Sequence, residues 1–208
     1  MQQIFTQKIH FKDKNGKPFP KWEKRKLGEI SSPLQYGLNT AAVEYDGISR
    51  YIRITDIDER TGEYRPCPEV SPASGADEGY RLKEGDILFA RTGASVGKSY
   101  RYVNEDGTIY FAGFLVRFHL EKSNTRFVHL LLNTQAFRKW CLVMSMRSGQ
   151  PGINAKEYAC FPLSLPCIAE QESIVEFFTV LDERLSHIAD VTERTRTFKS
   201  AMLQQLFA

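Results

Sequence analysis

The residues from Gly93 to Ser99 read GASVGKS, two glycines followed by lysine and serine, which are the residue types of a phosphate cradle. A phosphate-binding loop needs four residues between its glycines, so that successive N–H groups wrap the phosphate, with a helix N-terminus behind them. Here three residues separate Gly93 from Gly97, and the YRYV that follows has the pattern of a strand. The spacing argues against a nucleotide-binding hydrolase and for a glycine-rich turn between two strands. Such a turn, carrying Arg91, Thr92, Gly93, Ser95 and Lys98, lets backbone and short donors approach a duplex closely. A second polar, glycine-punctuated stretch, RSGQPGIN, runs from Arg147 to Asn154. The amides of Gln150 and Asn154 suit adenine, and the fork of Arg147 suits guanine or phosphate, with Ser148 and Gly149 between them. On its own this stretch reads equally well as a plain connecting loop.

Other candidate chemistry is thin. Asp56, Asp58 and Glu59 follow YIRIT, but no histidine or further acid stands at a spacing that completes acid–base or metal chemistry, so a solvated loop is expected. There is no Ser-His-Asp arrangement and no HExxH. The Pro-Pro of an adenine methyltransferase motif and the Pro-Asp of a common Mg²⁺ nuclease are both missing. Cys67, Cys141, Cys160 and Cys167 are scattered and far from His10, His119, His129 and His187 at zinc spacing, so reduced, mostly packed thiols and no metal are expected.

Charge is unevenly distributed. Residues 1–26 hold eight Lys/Arg against two acids, residues 27–166 hold sixteen of each, and residues 167–208 hold four against seven. A neutral middle is no blanket polyanion binder; a protein of this kind would hold nucleic acid with a few placed cations. With 208 residues, 42% of them hydrophobic, the chain can bury a real core. No apolar run is long enough for a membrane span, and the basic N-terminus lacks the apolar stretch of a signal peptide, so a cytoplasmic protein is expected.

The elements that must position these loops follow from periodicity. FKDKNGKPFPK is an exposed connector, and WEKRKLGEI starts an ordered domain on Trp22 and Leu27. From about residue 48 to 120 the pattern is strand and turn. ISRYIRITDI alternates, with Tyr51, Arg53 and Thr55 on one face and Ile52 and Ile54 on the other. KSYRYV, NEDGT and IYFAGFLVRFHL read as strand, hairpin turn and long strand. TRFVHLLLNTQAFRKWCLVM shifts to helical period as one or two helices, and FPLSLP is a short extended run. From Ile168 to Phe207 there is no Gly or Pro, and alternate steps of three and four from Ile174 to Gln205 give ten positions. Seven are apolar (Ile174, Phe177, Leu181, Ile188, Val191, Phe198 and Met202), and Arg184, Thr195 and Gln205 are polar. That is a coiled-coil seam on a rod of about 60 Å at 1.5 Å per residue. An exposed apolar stripe of this length calls for a partner.

These pieces resemble the specificity (S) subunit of type I restriction–modification enzymes. The matching stretches are FPKWEKRKLGEI, YIRITDI, EGDILFARTGASVGKSY, SGQPGINAKEY, FPLSLPCIAEQESIVEFFTVLDERL and MLQQLF, in the expected order. In that family a subunit has two target-recognition domains, each followed by a long helix, and the two helices pack antiparallel as a spacer. The resemblance also explains why QQIF near the N-terminus echoes QQLF near the C-terminus: each looks like the end of a spacer helix. It implies one half of such a subunit. Residues 1–20 would be the end of a preceding spacer and its link, 21–166 a target-recognition domain, and 167–208 a spacer helix that dimerises. The fold implied is α+β, a mixed, strand-rich domain followed by one long helix paired as an antiparallel coiled coil. The activity implied is noncatalytic reading of double-stranded DNA as a homodimer, on an inverted repeat. Methyltransferase (M) and restriction (R) subunits would dock on it and carry S-adenosylmethionine, ATP and Mg²⁺. The competing expectations are a hydrolase using Gly93–Ser99 and a coiled-coil scaffold with no DNA role.

Overall fold

The computed structural model describes residues 2–32, 34–146 and 151–207. The domain is closed where the chain enters and leaves it. Strand β1 (Glu23–Lys26) pairs antiparallel with β10 (Pro162–Leu165), from Glu23 opposite Leu165 to Lys26 opposite Pro162. β1 is the charged run EKRK and is exposed throughout, whereas β10 turns Leu163 and Leu165 inward at the two-residue period of a strand.

A four-stranded antiparallel sheet forms the centre, in the order β2 (Gln35–Tyr36), β9 (Leu115–His119), β6 (Asp86–Ala90), β7 (Ser99–Arg101). β6 is buried along its whole length because both faces of the sheet are covered. Ile87 and Phe89 join Val116 and Phe118 in the larger core beneath the helices, while Leu88 and Ala90 join Tyr100 and Leu115 in a second core. Two small pairs cover that second side: β4 (Arg50–Ile52) runs parallel with β8 (Ile109–Phe111), and β3 (Ala42–Glu44) runs antiparallel with β5 (Val70–Pro72). On the other side lie α2 (Thr125–Leu132), α3 (Gln135–Ser145) and the short α4 (Ala155–Ala159). Asn124 and Thr134 accept from the N–H of Phe127 and Phe137 and so start α2 and α3. The short helix α1 (Gln2–Phe5) is held on the same core by Ile4, and by Phe5 against Trp22 and Phe127. The fold is α+β, as expected.

Several local expectations are corrected. The alternating strand at 51–55 ends at Ile52 and gives way to a 3-10 turn, Ile54–Asp56. Tyr51 and Ile52 are both buried, because the strand is covered on two sides and serves two different cores. Asp56 is not solvated. It is buried and holds Arg53 through Nε at 2.9 Å and Nη2 at 2.8 Å. NEDGT is a 3-10 turn with Gly107 in the left-handed region (φ 76°), but no hairpin follows, since β8 crosses over to pair with β4. The expected long strand 109–120 breaks into β8 and β9 at a turn in which Leu115 N–H bonds Ala112 O at 2.8 Å. Of the four free thiols only Cys141 is buried; Cys67, Cys160 and Cys167 are exposed.

The last element, α5, runs unbroken from Ile168 to Phe207. Its first turns belong to the domain. Trp22 Nε1 donates to Glu170 Oε2 at 3.0 Å, Gln171 accepts from Asn124 N–H at 2.8 Å, and Ile174 and Phe178 enter the larger core. Ile174 is therefore not a dimerisation residue: its side chain is wholly covered within its own chain. From Val180 to Gln205 every residue is exposed. Among the described residues, no helix is long and apolar enough to cross a membrane.

Candidate nucleic-acid interface

The loop after β6 is closed at its base by Ala90 N–H to Lys98 O (2.9 Å) and Gly97 N–H to Ala90 O (3.3 Å). Between them, GASVGKS makes a 3-10 turn, Gly93–Ser95, and leads directly into β7. A strand, not a helix, follows Lys98, so the loop lacks the helix start that a phosphate cradle has behind its lysine, and the hydrolase alternative loses its main support. Gly93 (φ 66°) and Gly97 (φ 90°) take backbone conformations that a side chain would strain. At Gly97 an added Cβ would also press on Cys141 Sγ at 3.1 Å, so the loop lies directly against α3.

The two candidate loops, more than fifty residues apart in sequence, are joined by backbone. Thr92 bridges Gly152, Gly93 N–H bonds Pro151 O at 3.1 Å, and Ile153 N–H bonds Arg91 O at 2.9 Å. Beneath them Tyr158 donates its hydroxyl to Ala90 O at 2.7 Å and accepts from Gly97 N–H at 3.0 Å. Burial pushes the Tyr158 phenol pKa up, so it remains a neutral donor that pins both strands of the loop. β2 is tied to the same place: Tyr36 Oη accepts from Ala155 N–H at 3.1 Å.

The sequence-predicted residues divide clearly. Arg91, Thr92, Gly93 and the 151–154 segment share one surface. Arg91 Nε donates to Gly113 O at 3.1 Å, and its guanidinium lies 5.0 Å from the Tyr36 ring centre and 5.9 Å from that of Phe114. Ser95 and Lys98 lie at the other end of the loop. The Lys98 side chain is 19% exposed, with Nζ 3.9 Å from Glu59 Oε2, a loose pair. It lines a groove of about 390 Å³ with Asp58, Glu59, Arg138 and Leu142. Asn154 is corrected. Its Oδ1 caps α4 by accepting from Glu157 N–H at 3.0 Å, while Glu157 Oε2 accepts from Asn154 N–H at 2.8 Å. An amide committed to this reciprocal cap does not offer both of its edges to adenine. Arg147, Ser148, Gly149 and Gln150 lie outside the described residues. Among the described residues, no group of three His, Cys, Asp or Glu is placed to hold a metal ion.

Sequence reasoning missed Tyr36 and Phe114. The available signal was Gly113: a break there, rather than a continuous strand, puts Phe114 at a turn tip. Gly37 completes the approach, because a Cβ there would stand 2.3 Å from Phe111 O and Ala112 O. β2 can therefore lie close enough to this turn to bring Tyr36 beside Arg91.

The domain joins residues 91–93 to 151–153 through their backbones and stands at the base of a long helix. The chain belongs to the type I restriction modification DNA specificity domain family, whose profile matches residues 20–193. Among solved structures, a chain from work on complex assembly and conformational transition of the type I R-M system aligns with a TM-score of 0.62 at 16% identity, over 91% of this chain. The HsdS subunit from Thermoanaerobacter tengcongensis gives 0.57 at 15% identity over 89% of this chain. The type I S subunit from M. genitalium gives 0.52 at 13% identity over 80% of it. These likenesses are of fold. The alignments cover 49%, 43% and 40% of those chains, so this chain spans about half their length or less. A comparison with curated proteins found no match.

Proposed function

We propose that this chain is a noncatalytic half of a specificity subunit, which reads one half of a bipartite duplex site and presents it to methyltransferase and restriction subunits. The observation that carries this reading is the backbone stitching of 91–93 to 151–153, which brings the two candidate loops together. Arg91 contacts a base edge. Thr92 positions the DNA backbone, as Ser95 and Lys98 do from the other end of the loop; by residue type, Arg147 does the same and Gln150 contacts a base edge. S-adenosylmethionine, ATP and Mg²⁺ belong to the partner subunits, which work on cytoplasmic DNA.

In this reading α5 pairs with a second copy. Its exposed stretch carries Phe177, Leu181, Ile188, Val191, Phe198 and Met202, to which Val180, Leu185 and Leu203 add. Charge favours the antiparallel arrangement. Residues 168–185 hold five acids and one Arg, whereas residues 186–207 hold two acids and three Lys/Arg. Parallel pairing would set the acidic halves against each other, while antiparallel pairing sets each against the more basic half. Two-fold symmetry then requires an inverted repeat with a fixed spacer. The test is methylome sequencing of cells that co-express this chain with its methyltransferase subunit. A modified bipartite palindrome is expected; absence of modification, or an undivided asymmetric motif, would overturn the proposal.

A further inference from the structure

Arg91 is held in a manner that phosphate contact does not require. Its Nε is committed to Gly113 O, and the rings of Tyr36 and Phe114 lie near its guanidinium. Among the described residues, its two Nη groups form no hydrogen bond or ion pair with protein. Tyr36 is itself fixed by Ala155 N–H, and Gly113 N–H is fixed by Leu38 O at 2.7 Å, so the clamp hangs on three separate backbone segments. Tyr36 and Phe114 are 44% and 60% exposed, a large apolar surface to leave in water beside one cation. A phosphate ester needs only a positive charge within reach, which a flexible lysine supplies as well. An arginine with Nε tied and flanked by rings has already lost its rotamer freedom and offers one edge, two parallel N–H donors in a fixed plane. That edge matches two coplanar acceptors.

Building on the DNA-reading proposal above, we infer that Tyr36 and Phe114 are positioning residues that set Arg91 to read the O6/N7 edge of one guanine in the major groove. The exposed ring of Phe114 lies against the neighbouring base, where a thymine methyl would suit it.

The experiment uses the chain assembled with its methyltransferase subunit and duplexes in which each base pair of the methylome-defined motif is replaced in turn. With the natural protein, one G·C pair per half-site should carry a penalty that Arg91→Lys reduces about tenfold to a hundredfold, with other positions and the salt dependence unchanged. Tyr36→Leu and Phe114→Leu should relax the same position by a smaller factor. Tyr36→Phe, which keeps the ring, should restore discrimination relative to Tyr36→Leu. If Arg91→Lys instead weakens all duplexes alike, or the salt slope falls by about one, Arg91 is a phosphate contact and the inference fails. A motif without G·C in the half-site also overturns it. If the natural complex modifies and binds no duplex, the DNA-reading proposal itself has failed, a result distinct from a motif that Arg91→Lys leaves untouched.

Discussion

The first three turns of α5 and the rest of that helix carry the same kind of sequence and meet opposite fates. In the first stretch, Ile174 and Phe178 disappear into the domain core, and Glu170 and Gln171 are bonded to Trp22 and to the start of α2. Beyond Val180, side chains as apolar as Leu185 (64% exposed) and Phe198 (66%) stand in water. The Arg126–Asp182 pair, at 3.1 Å, marks where the domain stops reaching the helix. Helical periodicity states that a face wants cover. It does not state whether the cover comes from the same chain.

The comparison breaks most visibly if the exposed stretch needs no partner. Light scattering at micromolar concentration should give a mass near twice 23.8 kDa, and Leu181→Asp with Ile188→Asp should return the chain to a mass near 23.8 kDa. Each buried charge at an apolar seam costs several kcal/mol, so an unchanged mass in the double variant would remove the seam. In that double-Asp background, Ile174→Ala should cost about 3 kcal/mol in denaturant unfolding, as a large-to-small core change does. Leu185→Ala in the same background should stay within about 0.5 kcal/mol. Equal costs would mean that the two stretches are not differently covered. The smallest effect sharpens the boundary. Trp22→Phe keeps the ring packing against Phe5 and Phe127 but removes the donor to Glu170, for a loss of about 1–2 kcal/mol by thermal unfolding. Burial already raises the Glu170 carboxyl pKa and Trp22 pulls it down, so the variant should raise it further, readable by carboxyl NMR titration.

Much of the frame was legible in the chain. The breaker-free run 168–207, the helical shift after residue 124 and the strand at FPLSLP all rest on local patterning, and each stands where expected. Pairing was not legible. NEDGT looks like a hairpin turn, yet β8 pairs with β4, because long-range partners outweigh a local turn signal. The site was half legible. GASVGKS and the GIN segment are recognisable as loops, but nothing local says that Thr92 meets Gly152. Nothing local shows that Asn154 spends its amide on a cap either, or that Tyr36 arrives from β2 beside Arg91.

Local patterning was enough to mark which stretches are polar and glycine-hinged, which faces are apolar, and that a long uninterrupted helix follows the domain. These are properties of neighbouring residues, set by backbone preference and periodicity. Which loops meet, which arginine lies beside two aromatic rings, and where along α5 the domain's own cover ends are settled by the packed chain. Those depend on contacts between residues distant in the chain, which no local pattern encodes.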